Sequence, residues 1–190
     1  MKWTPGQPLA LKSENFILRS MRPSDLNERY QSWFKDPEVM EFFSADTNQS
    51  VEQMHRFLKT FDNKYRYNLG IFPKESGNMI GYFYLYPEFH RRVGRTAVLI
   101  GERDYWGKGV VIETRSVVFD FLFEALGMEK IWAWVDKRNI PAICNYKAQG
   151  FQKEGLLRGH GIGRDGKRTD QYVFGLMRDE WRAQKAEKSE

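Results

Sequence analysis

A chain of 190 residues with 41% hydrophobic and 15% aromatic side chains can bury one sizeable core and does not have the composition of a disordered segment. Its single cysteine, Cys144, excludes an intramolecular disulfide and a cysteine-based zinc site, and no run of about 18 apolar residues suggests a membrane span. The net charge of +5 favours an anionic ligand but is spread along the chain, so nucleic acid is not indicated. One domain over residues 1–190, in the cytoplasm, is the expectation.

In chain order, "NFILRSM" at 15–21 alternates as a strand does and is closed by Pro23. In "SDLNERYQSWFKD", Leu26, Tyr30, Trp33 and Phe34 recur at helical spacing, and Pro37 then redirects the chain. A second helix is expected over 50–62, where Ser50 and Gln53 form a capping box ahead of Val51, Met54, Leu58 and Phe61. Residues 67–73 and 78–87, separated by "KESG", read as an antiparallel hairpin. Its second strand alternates Ile80, Tyr82, Tyr84 and Tyr86 with Gly81, Phe83 and Leu85, so hydroxyls collect on one sheet face. Ordinary half-buried strand tyrosines have the same pattern.

"TAVLIG" at 96–101 reads as a buried strand, and an apolar helical stripe then runs from Gly109 to a stop at Gly127. "KIWAWV" at 130–135 is a strand. "NIPAICNYKAQ" at 139–149 is a short helix with Asn139 as cap, Pro141 in its first turn and Gly150 at its end. "FQKEGLLRGHG" and "RTDQYVFGL" flank "GRDGKR" as a last hairpin, and "RAQKAEKSE" reads as a polar, fraying tail. Strands and helices in this order give an α+β fold with a mixed sheet.

The stretch "RDYWGKGVV" at 103–111 sets two glycines behind the strand and ahead of the helix. Glycines there let a ligand approach the backbone, and the helix start offers N–H groups and partial positive charge. Trp106, Gly107, Lys108, Gly109 and Val110 would form an anion cradle suited to a diphosphate; a tight turn is the competing reading. A Walker loop needs Ser or Thr where Gly109 stands, and a dinucleotide fingerprint needs a third glycine where Ile112 stands.

The order "VLIGERDYWGKGVVIE", "WVDKRNIPAICNYKAQGFQKEG", "GRDGKRTDQYVFGLMRDEW" resembles the GNAT superfamily of acetyl-coenzyme A dependent N-acetyltransferases, in its RimJ/RimL-like (ribosomal-protein-alanine-acetyltransferase) branch. The resemblance spans about 13–182 and implies one domain. It also implies a mostly antiparallel seven-stranded sheet, splayed between its fourth and fifth strands and flanked by about four helices. It puts the pantetheine arm of acetyl-CoA beside Leu99 and Ile100, the pyrophosphate on 106–110, and Asn139 near the thiol end, while helix capping remains an equal role for that residue. Asp104 departs from the family, which commonly has Gln or Arg there. Tyr146, four residues before Gly150-Phe151, matches the tyrosine that returns a proton to the leaving thiolate; a phenol of pKa near ~10 suits that task, and core packing is its other reading.

Attack on a thioester needs a neutral amine, hence a proton acceptor. Trp134 stands where some members have a Glu, so Glu102 is the candidate base, with Asp136 as an alternative. Asp36, Glu38, Tyr82 and Tyr84 are candidate acceptor contacts, the acids competing with plain solvation. Cys144 has no triad partner, and His55, His90 and His160 have no ligand spacing, so no metal is expected. The implied activity is acetyl transfer to a primary amine on a protein N-terminus or small molecule. An acceptor that is a nucleotide-linked amino sugar or an aminoglycoside, and a non-catalytic CoA-binding module, are the alternatives. A monomer or homodimer without membrane attachment is expected.

Overall fold

The computed structural model describes residues 3–43 and 49–187. Its elements run β1 (Ala10–Lys12), β2 (Phe16–Ser20), α1 (Glu28–Lys35), α2 (Val51–Leu58), β3 (Tyr67–Pro73), β4 (Gly81–Glu88) and β5 (Val93–Ile100). They continue with α3 (Val110–Asp120), β6 (Lys130–Asp136), α4 (Ile140–Ala148), β7 (Gln152–Ile162), β8 (Arg168–Met177) and α5 (Arg178–Glu187). The strands form one sheet in the order β1-β2-β3-β4-β5-β6-β8-β7. β1–β2, β2–β3, β3–β4, β6–β8 and β7–β8 pair antiparallel, and β5–β6 is a parallel ladder of Val93–Arg95 on Lys130–Trp132. Counted from β2, these last two are the fourth and fifth strands, where the resemblance places the splay.

The fold is α+β as expected, with eight strands rather than seven and five α-helices rather than four among the described residues. The added strand is β1, too short for a period-2 pattern, whose register with β2 runs from Ala10 opposite Arg19 to Lys12 opposite Ile17. The added helix is α5, which replaces the expected fraying tail up to Glu187. Its sequence is rich in helix formers and needs little apolar surface, because Trp181 alone is buried in it. The α2 helix ends at Leu58 rather than 62, and Phe61 sits in the turn that follows.

The chain divides into two compact units, Met1–Tyr86 with Ala97–Val118, and Pro87–Thr96 with Phe119–Glu190. In the first, Asn27 Oδ1 accepts from Tyr30 N at 3.1 Å and starts α1, which buries Tyr30, Trp33 and Phe34. The capping box expected at α2 forms, Ser50 N donating to Gln53 Oε1 and Gln53 N to Ser50 Oγ. These helices and Phe43, Phe57 and Phe61 cover the tyrosine face of β4 in one apolar cluster. Each fully buried large side chain there contributes about 1.5–3 kcal/mol. Gly101 lies so close to the Trp33 ring that a Cβ would overlap it, so the chain can pass α1 at that point only as glycine.

In the second unit, β6 buries Ile131, Ala133 and Val135, while Trp132 and Trp134 on the other face are half-buried. The α3 helix widens into a π-helical turn at Phe121–Ala125, and Gly127 at φ 66° ends it. Trp181 packs edge-on against Phe119 at 5.3 Å and donates to Asp120 Oδ1 at 3.0 Å. Lys185 also pairs with Asp120, and Arg182 with Glu124.

Candidate functional site

The glycine turn is built from the end of β5. Gly101 N donates to Ile80 O at 2.9 Å, and Leu99 O lies where a Cβ on Gly81 would be, so Leu99 turns its carbonyl toward β4. By strand alternation the Ile100 peptide points away from β4. The Ile100 carbonyl accepts from the Trp106 indole Nε1 at 2.9 Å, which folds the chain back over one 3-10 turn, Arg103–Tyr105. Gly107 (φ 70°) and Gly109 (φ 73°) are both left-handed, and nothing lies within 4 Å of the place a Cβ would occupy on either. Glycine is needed there for the backbone conformation rather than for packing, and the space above stays open. Buried Val110 anchors the start of α3, and Glu113 N makes a helical bond to Gly109 O at 3.0 Å. The amides of Val110 and Val111 precede that bond, as an anion cradle requires.

Glu113 does more than complement the helix dipole. Its carboxylate accepts from Ser13 Oγ (2.6 Å), Asn15 N (2.7 Å) and Asn15 Nδ2 (3.0 Å), bracing the β1–β2 turn against the first turn of α3. Burial pushes this carboxyl up, but the hydrogen bonds from Asn15 and Ser13 outweigh it and hold the pKa below its ordinary value. A separation of about a hundred residues hides this contact from sequence reading; only the capping-like "SEN" at 13–15 signals it.

The candidate acceptor contacts lie in the same unit. Tyr82 and Tyr84 are buried, with ring centroids 4.9 Å apart, and Tyr30 lies 5.8 Å from Tyr82. Desolvation pushes the Tyr30 phenol up to about 12 and raises Tyr82 and Tyr84 further, with neighbouring tyrosines adding to the rise in both. All three hydroxyls therefore stay protonated at neutral pH. The buried Tyr82 Oη lies near Tyr84 and makes no hydrogen bond of good geometry. Asp36 and Glu38 are both paired with Arg103, at 2.6 and 2.8 Å, and Asp36 Oδ1 also accepts from the amides of Glu38 and Val39. The Arg103 guanidinium holds the Asp36 carboxyl below the usual range. Glu102 Oε1 accepts from Trp33 Nε1 at 2.9 Å and faces Arg29 at 3.6 Å.

Asn139 and Tyr146 belong to the second unit. Asn139 Oδ1 accepts from Ala142 N at 3.1 Å, so the capping role holds. Tyr146 is buried, stacked on Phe174 at 5.3 Å and edge-on to Phe151 at 5.0 Å. Asp136 is gripped by Arg138 through both oxygens at 2.9 Å, and that guanidinium lowers its pKa. The remaining candidates, Leu99, Ile100, Trp106–Val110, Asp36, Glu38, Tyr82, Tyr84 and Glu102, fall together in the first unit. Among the described residues no group of three metal-ligating side chains occurs, and no helix is long and apolar enough to cross a membrane.

Known proteins resemble this chain in sequence and in fold. The p20 N-acetyltransferase of Bacillus licheniformis is 29% identical over 177 residues, 90% of this chain and 97% of its own. The spermidine N-acetyltransferase of Vibrio cholerae, solved in complex with CoA and spermine, superposes with a TM-score of 0.79 at 18% identity, over 88% of this chain and 98% of that one. The ribosomal-protein-S5-alanine acetyltransferase of Vibrio fischeri does so with a TM-score of 0.79 at 18% identity, over 91% and 98%. The two superpositions show a shared fold. The family pattern described as an acetyltransferase (GNAT) domain matches residues 15–152, a stretch that contains the glycine turn, Asn139 and Tyr146. The chain therefore belongs to the acetyltransferase (GNAT) family.

Proposed function

We propose that this chain is an N-acetyltransferase that moves the acetyl group of acetyl-CoA directly to a primary amine, within one catalytic domain of core 13–182. The observation that carries the reading is the turn at 106–110: two left-handed glycines under open space, followed by the amide-bearing start of α3. Those residues fit a diphosphate, with Lys108 as an added cation. Acetyl-CoA supplies the activated thioester. On this reading Ile100 and Leu99 flank the pantetheine arm and Asn139 contacts it as well as capping α4. Tyr146 holds the proton that the leaving sulfur takes up, and Glu102, whose Trp33 and Arg29 contacts both fall on Oε1, accepts one from the amine.

Tyr82 and Tyr84 are proposed acceptor contacts only if Phe43, Phe57 and Phe61 move off their rings, and Asp36 and Glu38 join them only if the amine competes with Arg103. We place the chain in the RimJ/RimL-like branch on its "WGKGVVIE" and "NIPAICNYKAQGF" arrays. A protein N-terminal amine, a nucleotide-linked amino sugar and an aminoglycoside are the acceptor classes to screen by thiol release. Tyr146→Phe is expected to lower kcat by about a hundredfold or more with KM for acetyl-CoA unchanged. An unchanged kcat would remove Tyr146 from the reaction. A CoA-binding module without transfer is favoured by Trp134 in place of an acid; turnover on any amine disposes of it.

A further inference from the structure

The half-exposed face of β6 carries an aromatic array that the acetyl-transfer reading leaves unused. Trp132 and Trp134 project on the face opposite buried Ile131, Ala133 and Val135, with ring centroids 5.2 Å apart. Arg95 sits directly across the parallel ladder from Trp132, and its guanidinium lies 4.7 Å from the Trp134 ring centroid. Exposed His160 meets Trp134 edge-on at 5.7 Å. Across β6 from Trp132, β8 has Gly175, where a Cβ would collide with Glu154 and Lys130; those two form an ion pair at 2.6 Å and cancel in charge.

We propose that Trp132, Trp134, Arg95 and His160 form a stacking site for a nucleoside phosphate, carried by the acceptor as a small nucleotide-linked amine. Large indole rings left partly exposed offer a π-surface to a flat ring, and the guanidinium over Trp134 both extends the stack and attracts a phosphate. A polyamine is disfavoured, because Arg95 places a cation against Trp134 in the array. One cation and two indoles match a single base with its phosphate rather than a length of polynucleotide.

The proposal rests on the acetyl-transfer reading only in assigning the nucleotide to the acceptor. Its test is a binding titration on the full chain by calorimetry, with uridine 5′-monophosphate as probe and saturating CoA present throughout. Binding is expected under those conditions, with ribose 5-phosphate at least tenfold weaker because it lacks the base. Trp134→Ala should weaken UMP on the order of tenfold, Trp134→Phe should largely restore it, and Arg95→Gln should weaken it and flatten its salt dependence. Loss of UMP binding when CoA saturates would mean the nucleotide only enters the coenzyme pocket, and would overturn the site. So would equal binding of ribose 5-phosphate, an unchanged affinity in Trp134→Ala and Arg95→Gln together, or affinity that climbs with the length of a single-stranded oligouridylate. Thiol release with a non-nucleotide amine is scored separately, so acetyl transfer can stand while this site fails.

Discussion

Strands β4 and β6 have the same design in sequence, aromatics at alternate positions on one face, and they reach different ends. On β4 the rings of Tyr82 and Tyr84 are sealed by Tyr30 and Trp33 of α1 and by Phe43, Phe57 and Phe61. On β6 the rings of Trp132 and Trp134 are only partly covered, with one guanidinium and one imidazole beside them. Period-2 aromaticity therefore specifies a face, and the elements packed over it decide whether that face becomes core or contact surface. The ionisable candidates do not follow this division: Asp36, Glu38 and Glu102 have internal partners in the first unit, and Asp136 has Arg138 in the second.

The contrast is broken most severely by truncation. Tyr82→Ala should cost about 3–5 kcal/mol in urea unfolding, as large-to-small core changes do. Trp134→Ala should cost about 1 kcal/mol; equal losses would mean that β6 is as covered as β4. Gly109→Ala forces a left-handed alanine and should cost about 1–2 kcal/mol while raising KM for acetyl-CoA more than it lowers kcat, since the strain falls in the cradle. A Gly109→Ala enzyme with wild-type KM would detach the turn from coenzyme binding.

The Glu113 brace gives a pH signature. Its pKa is depressed in the folded chain, so its contribution is complete above the ordinary 4.5 and disappears as pH falls through the lower folded value. Glu113→Gln should therefore lose stability at neutral pH and show a shallower acid limb below 4.5; parallel acid limbs in the two proteins would count against the brace. The smallest effect is expected at Tyr82→Phe. Because the Tyr82 hydroxyl is buried without a well-formed hydrogen bond, its removal should change stability by less than about 1 kcal/mol, in either direction.

Local features were legible in the sequence because their causes are local. The Ser50–Gln53 box, the Asn139 cap and the β3–β4 hairpin depend on residues a few positions apart, and so does the glycine pair. What sequence reading missed depends on distant partners. β1 exists because Leu9 and its neighbours pair with β2, whose Ser20 Oγ accepts from Leu9 N at 2.9 Å. α5 exists because Trp181 finds Asp120 and Phe119 some sixty residues earlier. Asp36 and Glu38 look like solvated or amine-binding acids until Arg103 is folded beside them. The proposed coenzyme cradle is a backbone motif and can be read early; the proposed acceptor contacts depend on tertiary pairings and cannot.

Trp106 has an optical consequence. Its ring is 41% exposed while its Nε1 is tied to Ile100 O, immediately before Gly107. The chain thus has a partly exposed chromophore tied beside the proposed cradle, whereas Trp33 and Trp181 are shielded at 3% exposure. The difference between the emission of the native chain and that of Trp106→Phe is a label-free signal of occupancy at residues 106–110, separable from events on β6.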